Sequence, residues 1–89
     1  MISAMALKQK LKSMIIKELR LNEFTPDDIG DDDLLFGPKF GLDSIDAIEL
    51  VHQLKKNFDV EIKDMNEGRP ALQTINSLYA FIQARRSPL

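Results

Sequence analysis

The sequence predicts an all-α fold, a small bundle of three long helices plus one short element, with a long structured loop between the first two helices. Three observations carry this. Apolar residues recur at helical spacing in three separate segments, and no convincing pair of strand-like alternations appears. The chain has 89 residues, which is room for one core and not for two, so residues 1–89 are expected to form a single domain.

In the first helix Leu7, Leu11, Met14 and Ile15 fall on one stripe when residues are placed at steps of about 100°, with Leu19 trailing at its edge. No glycine or proline interrupts residues 4 to 22. Glu18 falls near the centre of the stripe, so this helix is expected to twist or to leave that carboxylate at an opening. The connection from residue 22 to 43 holds three of the four glycines and two of the four prolines. Within it Thr25-Pro26-Asp27-Asp28 reads as an N-cap followed by proline at the first helical position, and Gly30 ends the turn. Leu34, Leu35, Phe36, Phe40 and Leu42 give the connection apolar anchors, so it is expected to pack over the helices. Long structured loops in small domains usually carry function.

In the second helix Ala47, Leu50, Val51, Leu54 and Phe58 share one arc of about 100°. After it come Val60 and Ile62, and then Gly68-Arg69-Pro70, which limits any helix there to a turn or two. The last helix is expected to start from Thr74 as N-cap and to run through Ile75, Leu78, Tyr79 and Ile82, again at i, i+3, i+4 and i+7.

Composition removes several functions. With 44% hydrophobic and 29% charged residues the chain has the make-up of an ordinary globule. The absence of cysteine excludes disulfides, thiolate metal sites and cysteine nucleophiles, and the single histidine, His52, has no partner for a zinc site. His52 projects to the solvent side of the second helix and reads as a surface residue. No nucleophile, base and orienting group can be assembled, so the chain is not expected to be an enzyme. No apolar run reaches the roughly 18 residues of a membrane helix, and a cytoplasmic location is the expectation.

The net charge of −2 hides a strong asymmetry. Residues 1 to 20 carry five bases against Glu18, residues 21 to 49 carry nine acids against Lys39, and the rest is mildly basic. An acidic block of this kind has the wrong sign for nucleic acid and suits a protein partner with a basic patch. Asp31-Asp32-Asp33 does not read as a calcium loop. An EF-hand beginning at Asp31 would place Phe36 at the glycine position and Leu42 where a glutamate must stand. The triplet is expected to be a solvated acidic loop.

Chemistry concentrates in residues 40 to 51, Phe40-Gly41-Leu42-Asp43-Ser44-Ile45-Asp46-Ala47-Ile48-Glu49-Leu50-Val51. With Asp43 as N-cap and Asp46 at N3 an acidic capping box forms, which leaves Ser44 at N1 with no capping duty. Gly41 allows another backbone to approach closely. Taken alone, a serine here is also what any helix start favours. The helix behind it argues for more. Ile45 and Glu49 project away from the core arc, with Ile48 on the flank. Ile45 is thus an apolar spot inside a rim of Asp43, Asp46 and Glu49, a plausible recognition surface of Ile45, Asp46, Ile48 and Glu49. Phe36, Val51, Leu54 and Ile62 are the candidates for lining an apolar cleft.

The run Gly41-Leu42-Asp43-Ser44-Ile45-Asp46 resembles the signature of the acyl carrier proteins, a Gly-x-Asp-Ser-Leu core followed by an acidic amphipathic helix, with Ile45 in place of the usual leucine. The likeness continues through Glu49-Leu50-Val51, Leu54, Phe58 and Ile62 and spans the chain in element order. It implies that Ser44 receives 4′-phosphopantetheine from coenzyme A through a phosphopantetheinyl transferase, with Asp43 and Gly41 beside it. It also implies that the arm's thiol holds acyl groups as thioesters. The other implied partners are acyl-transferring and acyl-modifying enzymes of fatty-acid, polyketide-like or related lipid synthesis. Neither nucleic acid nor membrane insertion is implied, and the carrier would be a monomer. The Leu35-Phe36-Gly37 and Phe40-Gly41-Leu42-Asp43-Ser44 arrangement looks like stand-alone carriers dedicated to one pathway. Lys55-Lys56-Asn57 stands where housekeeping carriers continue an acidic face. The segment with Gly68-Arg69-Pro70 is longer and more broken than their usual third helix. Two alternatives remain at this level. One is an unmodified helical adaptor binding basic partners, and the other an aminoacyl or peptidyl carrier of the same fold, although Asp43 favours acyl cargo.

Overall fold

The computed structural model describes residues 4–85, apart from the side chains of Met65 and Glu67. Among the described residues four α-helices follow one another: α1 (Ala4–Glu18), α2 (Ser44–Phe58), α3 (Met65–Ala71) and α4 (Ile75–Arg85), with a 3-10 turn at Pro26–Asp28 in the long loop. The all-α class and the three longer helices match the periodicity. Helix α1 packs against both α2 and α4, and α3 packs against α4. None of these helices is long and apolar enough to cross a membrane.

The stripe of α1 is buried as expected, at Leu7, Leu11, Met14 and Ile15, and Leu19 is buried just past its end. Glu18 is half-exposed because α1 stops there. The stop is a Schellman turn: Leu21 N–H donates to Ile16 O at 3.0 Å while Arg20 takes a left-handed φ of 59°. An arginine in that conformation costs energy that glycine does not. Arg20→Gly is therefore expected to raise stability by about 0.5 to 1 kcal/mol, read as a rise in the urea midpoint.

Helix α2 is turned slightly from its expected placement. Ala47, Leu50 and Leu54 are buried, but the fourth buried residue is Gln53, and Val51 and Phe58 sit half-buried at the edge. Gln53 is tolerated there because Asn57 Nδ2 donates to its Oε1 at 3.0 Å, so the buried amide carbonyl has a partner.

The long loop contributes as much to the core as a helix does, through Leu21, Ile29, Leu35, Phe40 and Leu42. Leu34, expected to be an anchor, is instead 60% exposed. Leu35 N–H donates to Gln73 O at 2.8 Å, which points Leu35 inward and leaves its neighbour outside. The acidic triplet is structural and not merely solvated. Asp31 binds Lys12 at 2.8 Å and Lys8 at 3.4 Å, Asp32 accepts from Asn76 Nδ2 at 2.7 Å, and Asp33 accepts from the Gly30 amide and Lys39, both at 2.8 Å. These contacts tie the loop to α1 and α4. The hydrogen bond from Lys12 holds the Asp31 carboxyl below its usual value, and the one from Lys39 does the same for Asp33. The Lys12 residue itself is buried to 8% exposure under this pair.

Helix α3 forms in spite of Gly68 and Pro70. Gly68 N–H donates to Asp64 O at 3.0 Å and Leu72 N–H to Gly68 O at 2.9 Å, so the ladder bridges the proline, and Ala71 and Leu72 are buried. At seven residues it is the two turns that its glycine and proline allow. Helix α4 begins at a polar cap in which Ser77 N–H donates to Thr74 Oγ1 at 3.0 Å and Thr74 N–H to Ser77 Oγ at 2.9 Å.

Candidate functional site

The start of α2 is built around Asp43. Its Oδ1 accepts from the amides of Ile45 at 3.0 Å and Asp46 at 3.1 Å, and Asp46 Oδ2 accepts in return from the Asp43 amide at 3.0 Å. This reciprocal capping box satisfies the helix end without using Ser44. Ser44 is exposed, and its hydroxyl has no hydrogen-bond partner among the described residues. Two residues before Asp43 the chain turns at Gly41, which has a φ of +66°. A Cβ there would meet nothing within 4 Å, so glycine is favoured by the torsion and not by crowding, and the approach to Ser44 stays open.

Around this serine the two flanking isoleucines stand free, Ile45 at 75% and Ile48 at 67% exposure. Asp43 is exposed beside them, and Asp46 and Glu49 are half-exposed. The structure thus leaves Ile45 and Ile48 exposed and Asp46 and Glu49 half-exposed in the first turns of α2, the helix that Ser44 begins.

An open cleft of about 680 Å³ runs beside the serine, with Ser44, Asp43, Ala47 and Ile48 on one wall. Leu34, Phe36 and Leu42 of the loop and Arg69, Leu72 and Gln73 of the α3 region make the rest. Of the four residues expected to line an apolar cleft, Phe36 is in it. Val51, Leu54 and Ile62 are not: Leu54 is sealed in the core, Ile62 is 8% exposed there, and Val51 lies half-buried at the core's edge. Sequence reasoning missed Leu34, Arg69 and Gln73. Arg69 stands three residues before buried Leu72, a spacing that puts both on one helical face, and that was the available signal. His52 is exposed on α2, as its projection to the solvent side requires, and does not line the cleft. Among the described residues no cluster of His, Asp or Glu could hold a metal ion, the Asp31 triplet included.

A free hydroxyl at the first position of a capped helix, open to approach and set beside an apolar cleft, suits a serine that carries a prosthetic arm. Comparison with known proteins bears on that directly. The family model for a phosphopantetheine attachment site matches residues 9–82. An acyl carrier protein of Sulfurovum sp. (strain NBC37-1) is 33% identical over 79 residues, covering 89% of this chain and 97% of that protein. The class is that of phosphopantetheine-dependent carriers. The chain belongs to the acyl carrier protein family, so it is a carrier and not an enzyme, and 4′-phosphopantetheine is its covalent cofactor. Its partners therefore include a phosphopantetheinyl transferase and acyl-handling enzymes.

Proposed function

We propose that the chain, as a single carrier domain, holds acyl intermediates as thioesters on a 4′-phosphopantetheine arm joined to Ser44 Oγ. The observation that carries this is the Ser44 hydroxyl, left free by the Asp43–Asp46 box at the mouth of the cleft. In arm transfer the hydroxyl proton leaves, Ser44 Oγ bonds to phosphorus, and the adenosine bisphosphate portion of coenzyme A departs. The arm supplies the thiol that this cysteine-free chain lacks. Asp43 holds the backbone of the first turn so that Ser44 projects outward. Ile45 and Ile48 offer apolar contact to the transferase, and the Asp46 and Glu49 carboxylates suit basic residues around it. Intact mass after incubation with coenzyme A and a broad-specificity transferase tests the proposal. Gain of the arm supports it, and an unchanged mass points instead to an unmodified adaptor.

The partner enzymes proposed are those of one dedicated pathway of fatty-acid, polyketide-like or related lipid synthesis, acting on a monomeric carrier. Support comes from the charge reversal along α2. Asp46 sits in its first turn, Lys55 and Lys56 in its last. Lys55 is partly neutralised by Asp59 at 3.0 Å, whose hydrogen bond raises the Lys55 pKa, so exposed Lys56 carries most of the reversed sign. A partner needing a continuous acidic face meets repulsion there. Lys55→Glu with Lys56→Glu is expected to speed use of the holo protein by a housekeeping ketosynthase about 3- to 10-fold at low salt, and less at high salt. No change at either salt concentration would remove the electrostatic basis for a dedicated partner.

A further inference from the structure

Ser44 stands at the positive end of α2, yet that end has little left to offer a phosphate. The amides of Ile45 and Asp46 already donate to Asp43 Oδ1, and the Asp43 amide to Asp46 Oδ2. The Ala47 amide donates to Asp43 O at 3.0 Å. The helix dipole is therefore answered by its own carboxylates, and Asp43 and Asp46 lie within one turn of the serine. A phosphodiester on Ser44 Oγ enters a locally negative field and needs a cation from elsewhere.

Among the described residues, the cleft's lining has a single cationic side chain, Arg69, in the second turn of α3 and across from Ser44's helix. Arg69 is exposed and makes no ion pair or hydrogen bond with any described residue. No described lysine lines the cleft, and Lys39 is engaged with Asp33 and the Asp28 carbonyl, Lys8 and Lys12 with Asp31, and Lys55 with Asp59. A guanidinium has the planar fork that two phosphate oxygens match.

We infer that Arg69 is a phosphate clamp, pairing with the non-bridging oxygens of the phosphodiester and orienting the arm across the cleft, away from the acidic face of α2. This rests on attachment at Ser44. The feature that points to it is placement, since the cation of the cleft lining and the arm-bearing serine stand on walls of the same cleft.

The test compares apo and holo forms of the wild type, Arg69→Gln and Arg69→Lys, with intact mass confirming loading before each measurement. A failure to load bears on Ser44, and a loaded protein that ignores Arg69 bears on the clamp. The change in Tm on loading is expected to be about 2 to 4 °C less favourable in Arg69→Gln than in the wild type at low salt. Lysine should restore part of it, and the gap should close at high salt. The ³¹P resonance of the holo protein should also move in Arg69→Gln, a readout that a general loss of stability does not mimic. Identical loading effects and an unmoved ³¹P resonance overturn the clamp. So does an Arg69→Gln effect confined to carriers loaded with a dicarboxylic acyl group, which would assign the guanidinium to the cargo's carboxylate.

Discussion

Ser44→Ala is expected to abolish arm transfer completely while changing folding stability by no more than about 0.5 kcal/mol. Both halves follow from the same geometry. The hydroxyl makes no hydrogen bond among the described residues and sits exposed at the first position of α2, so its loss leaves no partner unsatisfied. The cap that holds the helix end belongs to Asp43 and Asp46 and survives the change. No other described serine is placed to substitute. Ser77 is committed to the Thr74 cap and to the Ala71 carbonyl at 2.7 Å, and Ser13 lies on α1, outside the cleft. Intact mass with the transferase and urea unfolding check the two halves. An alanine variant that still gains the arm would remove Ser44 from its role.

Leu54→Ala is expected to destabilise the fold by about 2 to 5 kcal/mol, because it opens a cavity where Leu54 is 0% exposed among Leu50, Val60 and the α1 stripe. In a domain this small that is a large part of the total. Ile45→Ala, nine residues earlier on the same helix, should behave oppositely. At 75% exposure Ile45 contributes little to packing, so its truncation should slow arm transfer and leave the urea midpoint nearly unchanged. Urea unfolding and transfer rates on the two variants separate the roles. The reverse pattern would mean that Ile45 is a packing residue and Leu54 a recognition residue.

The helices were legible because their apolar stripes repeat at 3.6 residues, and Leu7, Leu11, Met14 and Ile15, like Ile75, Leu78 and Ile82, are buried as that period requires. The capping box at Asp43 and the position of Ser44 followed from residue type and spacing alone. Contacts between segments distant in the chain were not legible. Asn57 of α2 reaches Met14 Sδ of α1 at 3.5 Å beside buried Gln53, and Leu35, next to outward-pointing Leu34, bonds to Gln73 O. Asp31, Asp32 and Asp33 look like solvated charge until Lys12, Asn76 and Lys39 arrive beside them. The cleft is the clearest case. Its walls come from the loop, α2 and the α3 region together, so periodicity within α2 pointed to Val51 and Leu54 and had no means of reaching Leu34 or Arg69.

The most direct test is to locate the arm on the wild-type chain. Cleavage after Lys39 and Lys55 releases residues 40–55, a peptide in which Ser44 is the only serine. After incubation with coenzyme A and transferase, that peptide should carry the full mass of the arm on Ser44, with every other serine-containing peptide unmodified. An unmodified 40–55 peptide, or the arm on any other peptide, would contradict the account.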